Sequence, residues 1–314
     1  MTESRGTGKY ERVVARCKEV PPVTTAVAHP CDEGVLLAVA EATRAGIIRP
    51  ILVGPSEKIR RAAKDAAVDL GSYEIEEAPH SHAAAARAVE LVRLGRAEVL
   101  MKGSLHTDEL MAEVVKKETG LRTNRRVSHA FVMDVPTYHK VLTITDAAVN
   151  IFPTLDDKRD IVQNAVDFIS AVGIERPKVA ILSAVETVSS KIPSTIEAAA
   201  LCKMADRGQI EGAILDGPLA FDNAISLEAA RVKQIVSPVA GDPDILVVPD
   251  LEAGNILVKN LNFLSNADAA GIVLGARVPI ILTSRADNQR TRMASCAVAA
   301  LYANARRQRA AIAA

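Results

Sequence analysis

Tryptophan is missing from this chain, aromatic residues make up only 3% of it, and its charges cancel, with 38 Lys and Arg against 38 Asp and Glu. The core must therefore be aliphatic, and 314 residues at 49% hydrophobic supply enough material for two domains. Zero net charge gives no nucleic-acid footprint and no polybasic membrane surface, so a local basic cluster is read as a seat for small anions. The four cysteines, Cys17, Cys31, Cys202 and Cys296, form no CxxC pair. That usage predicts structural thiols in a reducing cytoplasm. No apolar run reaches the ~18 residues of a membrane span, and the first residues carry no apolar leader. Also absent are a His-containing metal pattern, a GxxxxGK[ST] loop and a GxGxxG fingerprint, which argues against a kinase or a Rossmann-type dehydrogenase.

What is present is a repeated alternation of short apolar runs with helical patterns, the mark of parallel βαβ units. The runs predict strands at Val23–Ala28, Pro50–Val53, Val99–Lys102, Lys178–Ser183, Gly212–Leu215, Asp244–Val248, Ala270–Leu274 and Pro279–Leu282. Ser194 and Glu197 have the spacing of a capping box just after Pro193, and Thr154 with Asp157 has a weaker version of it. In the middle, Val127–Val135 and Lys140–Val149 flank Pro136-Thr137-Tyr138-His139 and suit two paired strands. A domain crossover is placed there. The first α/β domain is expected to hold residues 1–133 with 286–314, and the second residues 134–285.

Polar residues collect where strands end, and in open parallel sheets the ligand crevice lies beyond the strands' carboxyl ends. The sharpest case is Val278-Pro279-Ile280-Ile281-Leu282-Thr283, which stops at Ser284-Arg285-Ala286-Asp287. A guanidinium and a hydroxyl there can hold a phosphate or an oxyanion, and the carboxylate can accept a proton. Ser284 or Asp287 equally suits a helix N-cap. Met101-Lys102-Gly103-Ser104-Leu105-His106-Thr107 is a second junction, with Gly103 allowing close backbone approach and a helix N-terminus facing an anion; Thr107 as a plain N-cap is compatible with it. Arg122, Arg125 and Arg126 form a basic cluster that is either a solvated loop or a phosphate seat. Asp146 with Asn150, and Asp216 in Asp216-Gly217-Pro218, also come just after predicted strands, though acids, Gly and Pro are what turns use. Asp156 and Asp160 have one-turn spacing, but Lys158 and Arg159 between them favour a plain first helical turn over a metal site.

Met101-Lys102-Gly103 with His106-Thr107, Asp146-Ala147-Ala148-Val149-Asn150, Asp216-Gly217-Pro218, Ser237-Pro238-Val239-Ala240-Gly241, Pro249-Asp250-Leu251 with Gly254-Asn255, and Ser284-Arg285 resemble, in order and spacing, the phosphate acetyltransferase and phosphate butyryltransferase family. The likeness runs from about Val23 onward. It implies two α/β domains with mainly parallel sheets and an interdomain cleft, related to the isocitrate and isopropylmalate dehydrogenases, usually as a homodimer. It implies reversible acyl transfer between coenzyme A and inorganic phosphate, with acyl-CoA and phosphate as partners, coenzyme A as a substrate, and no metal or redox cofactor in the chemistry. Ser284 and Arg285 match the pair at the reacting centre; Lys102 to Thr107, Asp146 and Asn150 match positions lining the cleft.

Two departures stand out. The acetyltransferase branch resembles this chain except for a carboxylate seven residues beyond the serine, where Thr291 stands, so Asp287 is expected to supply the base or a neighbouring negative charge. That branch also resembles Asp-Cys-Ala-Val-Asn where Asp146-Ala147-Ala148-Val149-Asn150 stands, and the smaller Ala147 makes room for a longer acyl group; the Ser-Arg-Ala-Asp wording looks more like the butyryl branch. The competing readings are a metal-dependent oxidative decarboxylase or hydroxyacid dehydrogenase of the same architecture, and a non-catalytic module that binds coenzyme A or acyl phosphate.

Overall fold

The computed structural model describes residues 8–283 and 287–313. In chain order the strands are β1 Val23–Ala28, β2 Ile48–Gly54, β3 Glu74–Glu77, β4 Val99–Lys102, β5 Ser128–Asp134, β6 Leu142–Thr145, β7 Lys178–Leu182, β8 Ile214–Leu219, β9 Ile245–Val247, β10 Asp268–Leu274 and β11 Ile280–Ile281. The helices are α1 Lys9–Cys17, α2 Glu33–Arg44, α3 Ser56–Asp65, α4 Ser81–Arg93, α5 Thr107–Val114, α6 Leu155–Ala171, α7 Pro193–Asp206, α8 Phe221–Ile225, α9 Leu227–Val232, α10 Leu251–Leu264 and α11 Gln289–Ala313. No helix among the described residues is long and apolar enough to cross a membrane.

The chain folds into two compact units, residues 10–125 with 270–314, and residues 1–9 with 126–269. This corrects the expected boundaries at 133/134 and 285/286. β5 pairs antiparallel with β6, Ala130 opposite Thr145, so the segment from Arg126 belongs with β6 in the second unit. β11 lies parallel to β4, Ile280 beside Leu100, so the segment from Ala270 returns to the first unit before residue 286.

In the first unit the strand order is β3-β2-β1-β4-β11-β10. All neighbours run parallel except β10 and β11, which form an antiparallel pair where the sequence suggested parallel strands. Strands buried on both faces read as mostly apolar runs, and β1 and β4 accordingly coincide with their predicted runs. β3 was not expected, because Glu74-Ile75-Glu76-Glu77 is an edge strand that keeps its charge. Arg87 and Arg96 pair with Glu74 and Glu76 and cover it. α11 is bound back onto this unit: Ser295 Oγ accepts from Gly271 N at 3.0 Å, Asn304 Nδ2 donates to Pro21 O at 3.1 Å, and Arg307 pairs with Glu98.

In the second unit the order is β5-β6-β9-β7-β8, parallel apart from the β5–β6 pair. α6 opens with a full capping box, Thr154 Oγ1 accepting from Asp157 N and the Asp157 carboxylate accepting from Thr154 N. It buries Ile161, Ala165, Phe168 and Ile169, and fully burying a large apolar side chain stabilises by about 1.5–3 kcal/mol. The capping box expected at Ser194 is not made. The N-cap is Ile192 and Pro193 is already inside α7, which places Ser194 two residues too late to cap; its hydroxyl meets Ser183 Oγ at 2.8 Å and Glu197 pairs with Lys158.

Candidate active site

The first unit gathers its polar groups where β1, β4 and β11 end side by side. Lys102 closes β4 with its ammonium buried, 3.4 Å from Gly103 O and 3.5 Å from Thr283 O. The residue immediately before Ser284 thus lies against Lys102. Ser284 and Arg285 themselves lie outside the described residues. Gly103 N donates to Ala28 O at 2.9 Å, and a Cβ on Gly103 would stand 2.3 Å from that oxygen, so only glycine lets the two strand ends meet. His106, not Thr107, occupies the N-cap of α5; its side chain caps nothing, and Thr107 begins the helix, exposed. The first amides of α5 are left for solvent or an anion.

His29, given no role from sequence, belongs to this group. Ser104 Oγ has one proton, which it donates to His29 O at 2.7 Å, and it accepts from Cys31 N at 3.1 Å. Its 3.2 Å contact with His29 Nδ1 therefore needs a proton on Nδ1, which leaves Nε2 as a bare acceptor. Burial, followed by the Lys58 ammonium, pushes the His29 pKa below its ordinary value. The available signal was position: His29 comes directly after an apolar strand, as the other junction residues do.

Asp287 is half-buried just before α11, and its carbonyl accepts from Arg292 Nε at 3.3 Å. Asn288 takes the N-cap expected of Ser284 or Asp287, its Oδ1 accepting from Thr291 N at 2.8 Å. Thr291 is buried in the first turn. Arg122 stays in the first unit, exposed, its backbone bridged to Ala276.

In the second unit three predicted residues form one chain of hydrogen bonds. Asp146, just past β6, accepts from Ala148 N at 2.9 Å and Val149 N at 3.0 Å through Oδ1, and from Asn150 Nδ2 at 2.6 Å through Oδ2. Burial pushes its pKa up, opposed by these hydrogen bonds. Asn150 Oδ1 in turn accepts from Arg126 Nε at 2.7 Å. The basic cluster is thus divided, Arg126 bonded within the second unit and Arg122 not. Asp156 and Asp160 each meet Arg159, at 3.3 and 3.1 Å, and Asp160 Oδ2 also accepts from Arg126 N. Among the described residues no three His, Cys, Asp or Glu side chains group as a metal site.

Asp216 does not join this set. β8 runs through it to Leu219, so it sits within an edge strand and not at the expected strand end, bonded to its neighbour Gly217 N. β9 and β7 separate β8 from β6, three strand spacings or roughly 14 Å. The size reasoning attached to Ala147 also fails. Its methyl is fully buried against Gly254 of α10, where an added Cβ would come within 2.9 Å of it, so it faces core and not an open pocket.

The family model described as "Phosphate acetyl/butaryl transferase" matches residues 80–300. The chain is 67% identical over 299 residues to a phosphate acetyltransferase of Rhizobium meliloti, which covers 95% of each chain. It is 44% identical over 288 residues to a phosphate butyryltransferase of Clostridium acetobutylicum, covering 92% of this chain and 95% of that one. A solved branched-chain phosphotransacylase from Enterococcus faecalis superposes with a TM-score of 0.79 at 31% identity, over 90% of this chain and 99% of that one. With ordered strand-end motifs, parallel-sheet units and relatives matched along nearly their whole length, the chain belongs to the phosphate acetyl/butyryl transferase family.

Proposed function

We propose that this protein transfers a short acyl group reversibly between coenzyme A and inorganic phosphate, by attack of the coenzyme A thiolate on an acyl phosphate held beside it. The observation that carries the reading is the 67% identity to a phosphate acetyltransferase over 95% of the chain. The chemistry asks for an anion seat, an oxyanion stabiliser and a base. Arg126 and the α5 N-terminus with Lys102, Gly103, His106 and Thr107 are the proposed anion seats, with Arg122 as an exposed outer cation. Ser284 and Arg285 are proposed to stabilise the tetrahedral oxyanion, where one donor is worth ~2.7–4 kcal/mol. Holding both substrates in place contributes up to about 7–11 kcal/mol of the barrier.

The thiol must lose its proton, and Thr291 has no carboxylate with which to take it. Asp287 is the proposed base. Asp287→Asn is expected to lower kcat by ~10²–10⁴-fold; near-normal turnover would remove Asp287 from the mechanism. Acetyl is the expected preferred acyl group, since the acetyltransferase relative is the more similar and Ala147 faces core. The test is phosphate-dependent thiol release from acetyl-, propionyl- and butyryl-CoA. Release without phosphate dependence, or nicotinamide reduction with a divalent cation, would contradict the reading, and stabilisation by coenzyme A without turnover would reduce the protein to a binding module.

The parallel-sheet units fit the two-unit plan of the isocitrate and isopropylmalate dehydrogenases. A homodimer is proposed on the apolar surface of α10, where Ile256, Phe263 and Leu264 are exposed. Four free thiols support a reducing, cytoplasmic setting.

A further inference from the structure

We propose that Asn150 is a positioning residue that aims the guanidinium of Arg126 at a phosphate group of a substrate, with Asp146 as its buried anchor. The inference rests on the acyl-transfer reading and assigns new roles to two residues first expected to touch substrate. Hydrogen-bond capacity decides the matter. A side-chain amide has two N–H donors. Asn150 uses both, on Val127 O at 2.9 Å and Asp146 Oδ2 at 2.6 Å, while its Oδ1 takes Arg126 Nε. Asp146 is as fully engaged, with Ala148 N and Val149 N on one oxygen and Asn150 on the other. At 3% and 2% exposure, Asp146 and Asn150 have neither the surface nor the spare donors to hold a ligand.

Arg126 has both. It is 55% exposed, and its Nη atoms donate to no described residue. Its main chain is fixed as well: N donates to Asp160 Oδ2 at 2.9 Å and O accepts from Asn164 Nδ2 at 2.8 Å. Backbone and Nε are both held, so the outward fork of two parallel donors has a defined direction, which is the geometry that binds phosphate bidentately. That the clamp is an amide matters electrostatically. A carboxylate at 2.7 Å would add a close counter-charge to the guanidinium, whereas the neutral Asn150 holds Nε without adding one. Asp157 Oδ1 pairs with the guanidinium from its Nε side at 3.6 Å, which balances part of the charge and leaves the Nη fork for the anion.

The phosphate group has two sources, inorganic or acyl phosphate and the phosphates of coenzyme A. The experiment therefore measures KM for phosphate and KM for coenzyme A separately. The proteins are the full chain, Arg126→Ala, Asn150→Ala, Asn150→Asp and the double variant Arg126→Ala/Asn150→Ala, each checked for folding by circular dichroism. Arg126→Ala is expected to raise one of the two KM values about tenfold with little change in kcat. Asn150→Ala and Asn150→Asp should raise that same KM and leave the other alone. In the Arg126→Ala background the Asn150→Ala change should add less than about twofold, because both remove one interaction. Should Asn150→Ala not fold, the same cycle is run with Asn150→Ser, which removes the Nε acceptor without adding a charge beside Asp146. Full additivity, or a loss of kcat with both KM values unchanged, overturns the proposal. A wild-type protein without phosphate-dependent thiol release overturns the functional reading instead. The coupling is then read from heat protection by inorganic phosphate and by coenzyme A, which Arg126→Ala and Asn150→Ala should weaken equally; unequal loss overturns it.

Discussion

Replacing Gly103 with alanine tests how tightly the ends of β1 and β4 must meet for the loop that leads into α5 to form. The new Cβ would stand 2.3 Å from Ala28 O, 2.6 Å from His29 O and 2.7 Å from the His29 carbonyl carbon. All three neighbours are main chain, so no rotamer change relieves the clash. Ordinary contact begins at 3.4 Å, and the two strand ends would have to part by roughly 1 Å. That movement stretches the bonds from Gly103 N to Ala28 O and from Ser104 N to His29 O, both 2.9 Å. Overpacking typically costs ~1–3 kcal/mol, and each weakened hydrogen bond about 0.5–1.5 kcal/mol more. Because a 1 Å misplacement of positioning groups can cost roughly 10²-fold in rate, kcat/KM should fall by about that factor. Urea midpoints and steady-state kinetics read the two effects. Gly34→Ala is the contrast for stability: its Cβ meets nothing closer than Asp32 Oδ1 at 3.4 Å, and alanine is favoured over glycine in a helix by ~1 kcal/mol. A Gly103→Ala protein with wild-type midpoint and turnover would refute the close-approach reasoning.

The same geometry yields further expected outcomes. Thr154→Ala removes the Oγ1 arm of the α6 capping box and should lower stability to urea by ~1 kcal/mol; no change would mean the box is not maintained in solution. Hydrogen bonds from Arg307 hold the Glu98 carboxyl below its ordinary pKa. Its contribution is therefore complete above the unfolded value near ~4.3 and is lost as pH falls through the depressed folded value. Glu98→Gln should flatten the acid side of the stability profile, and an unchanged profile would discount the pair. Burial pushes the Cys17, Cys202 and Cys296 thiols up to about 12 and Cys31 up to about 11. Native protein at neutral pH should react slowly with a thiol reagent and quickly once unfolded; a rapid native thiol would contradict this.

Central strands were legible because burial on both faces favours a mostly apolar sequence, which is why β1 and β4 match to the residue. The β5–β6 pair was legible from its turn. β3 was hidden because an edge strand keeps charge, and β8 was cut short because Asp216-Gly217-Pro218 looks like a turn. At the site, sequence named Arg126, Asp146 and Asn150 but did not connect them. The first lies 24 positions from the third, and only the antiparallel pairing of β5 with β6 brings them within one hydrogen bond. The same limit hid His29, whose partner Ser104 is 75 positions away and joins it through the parallel pairing of β1 with β4.

The central claim, acyl transfer to phosphate, is tested most directly by trapping the product. Acetyl-CoA and inorganic phosphate are incubated with the protein, acyl phosphate is captured with hydroxylamine, and released thiol is measured in parallel. Hydroxamate and thiol should appear in equal amounts and only when phosphate is present. Thiol release without hydroxamate would identify a hydrolase and contradict the assignment.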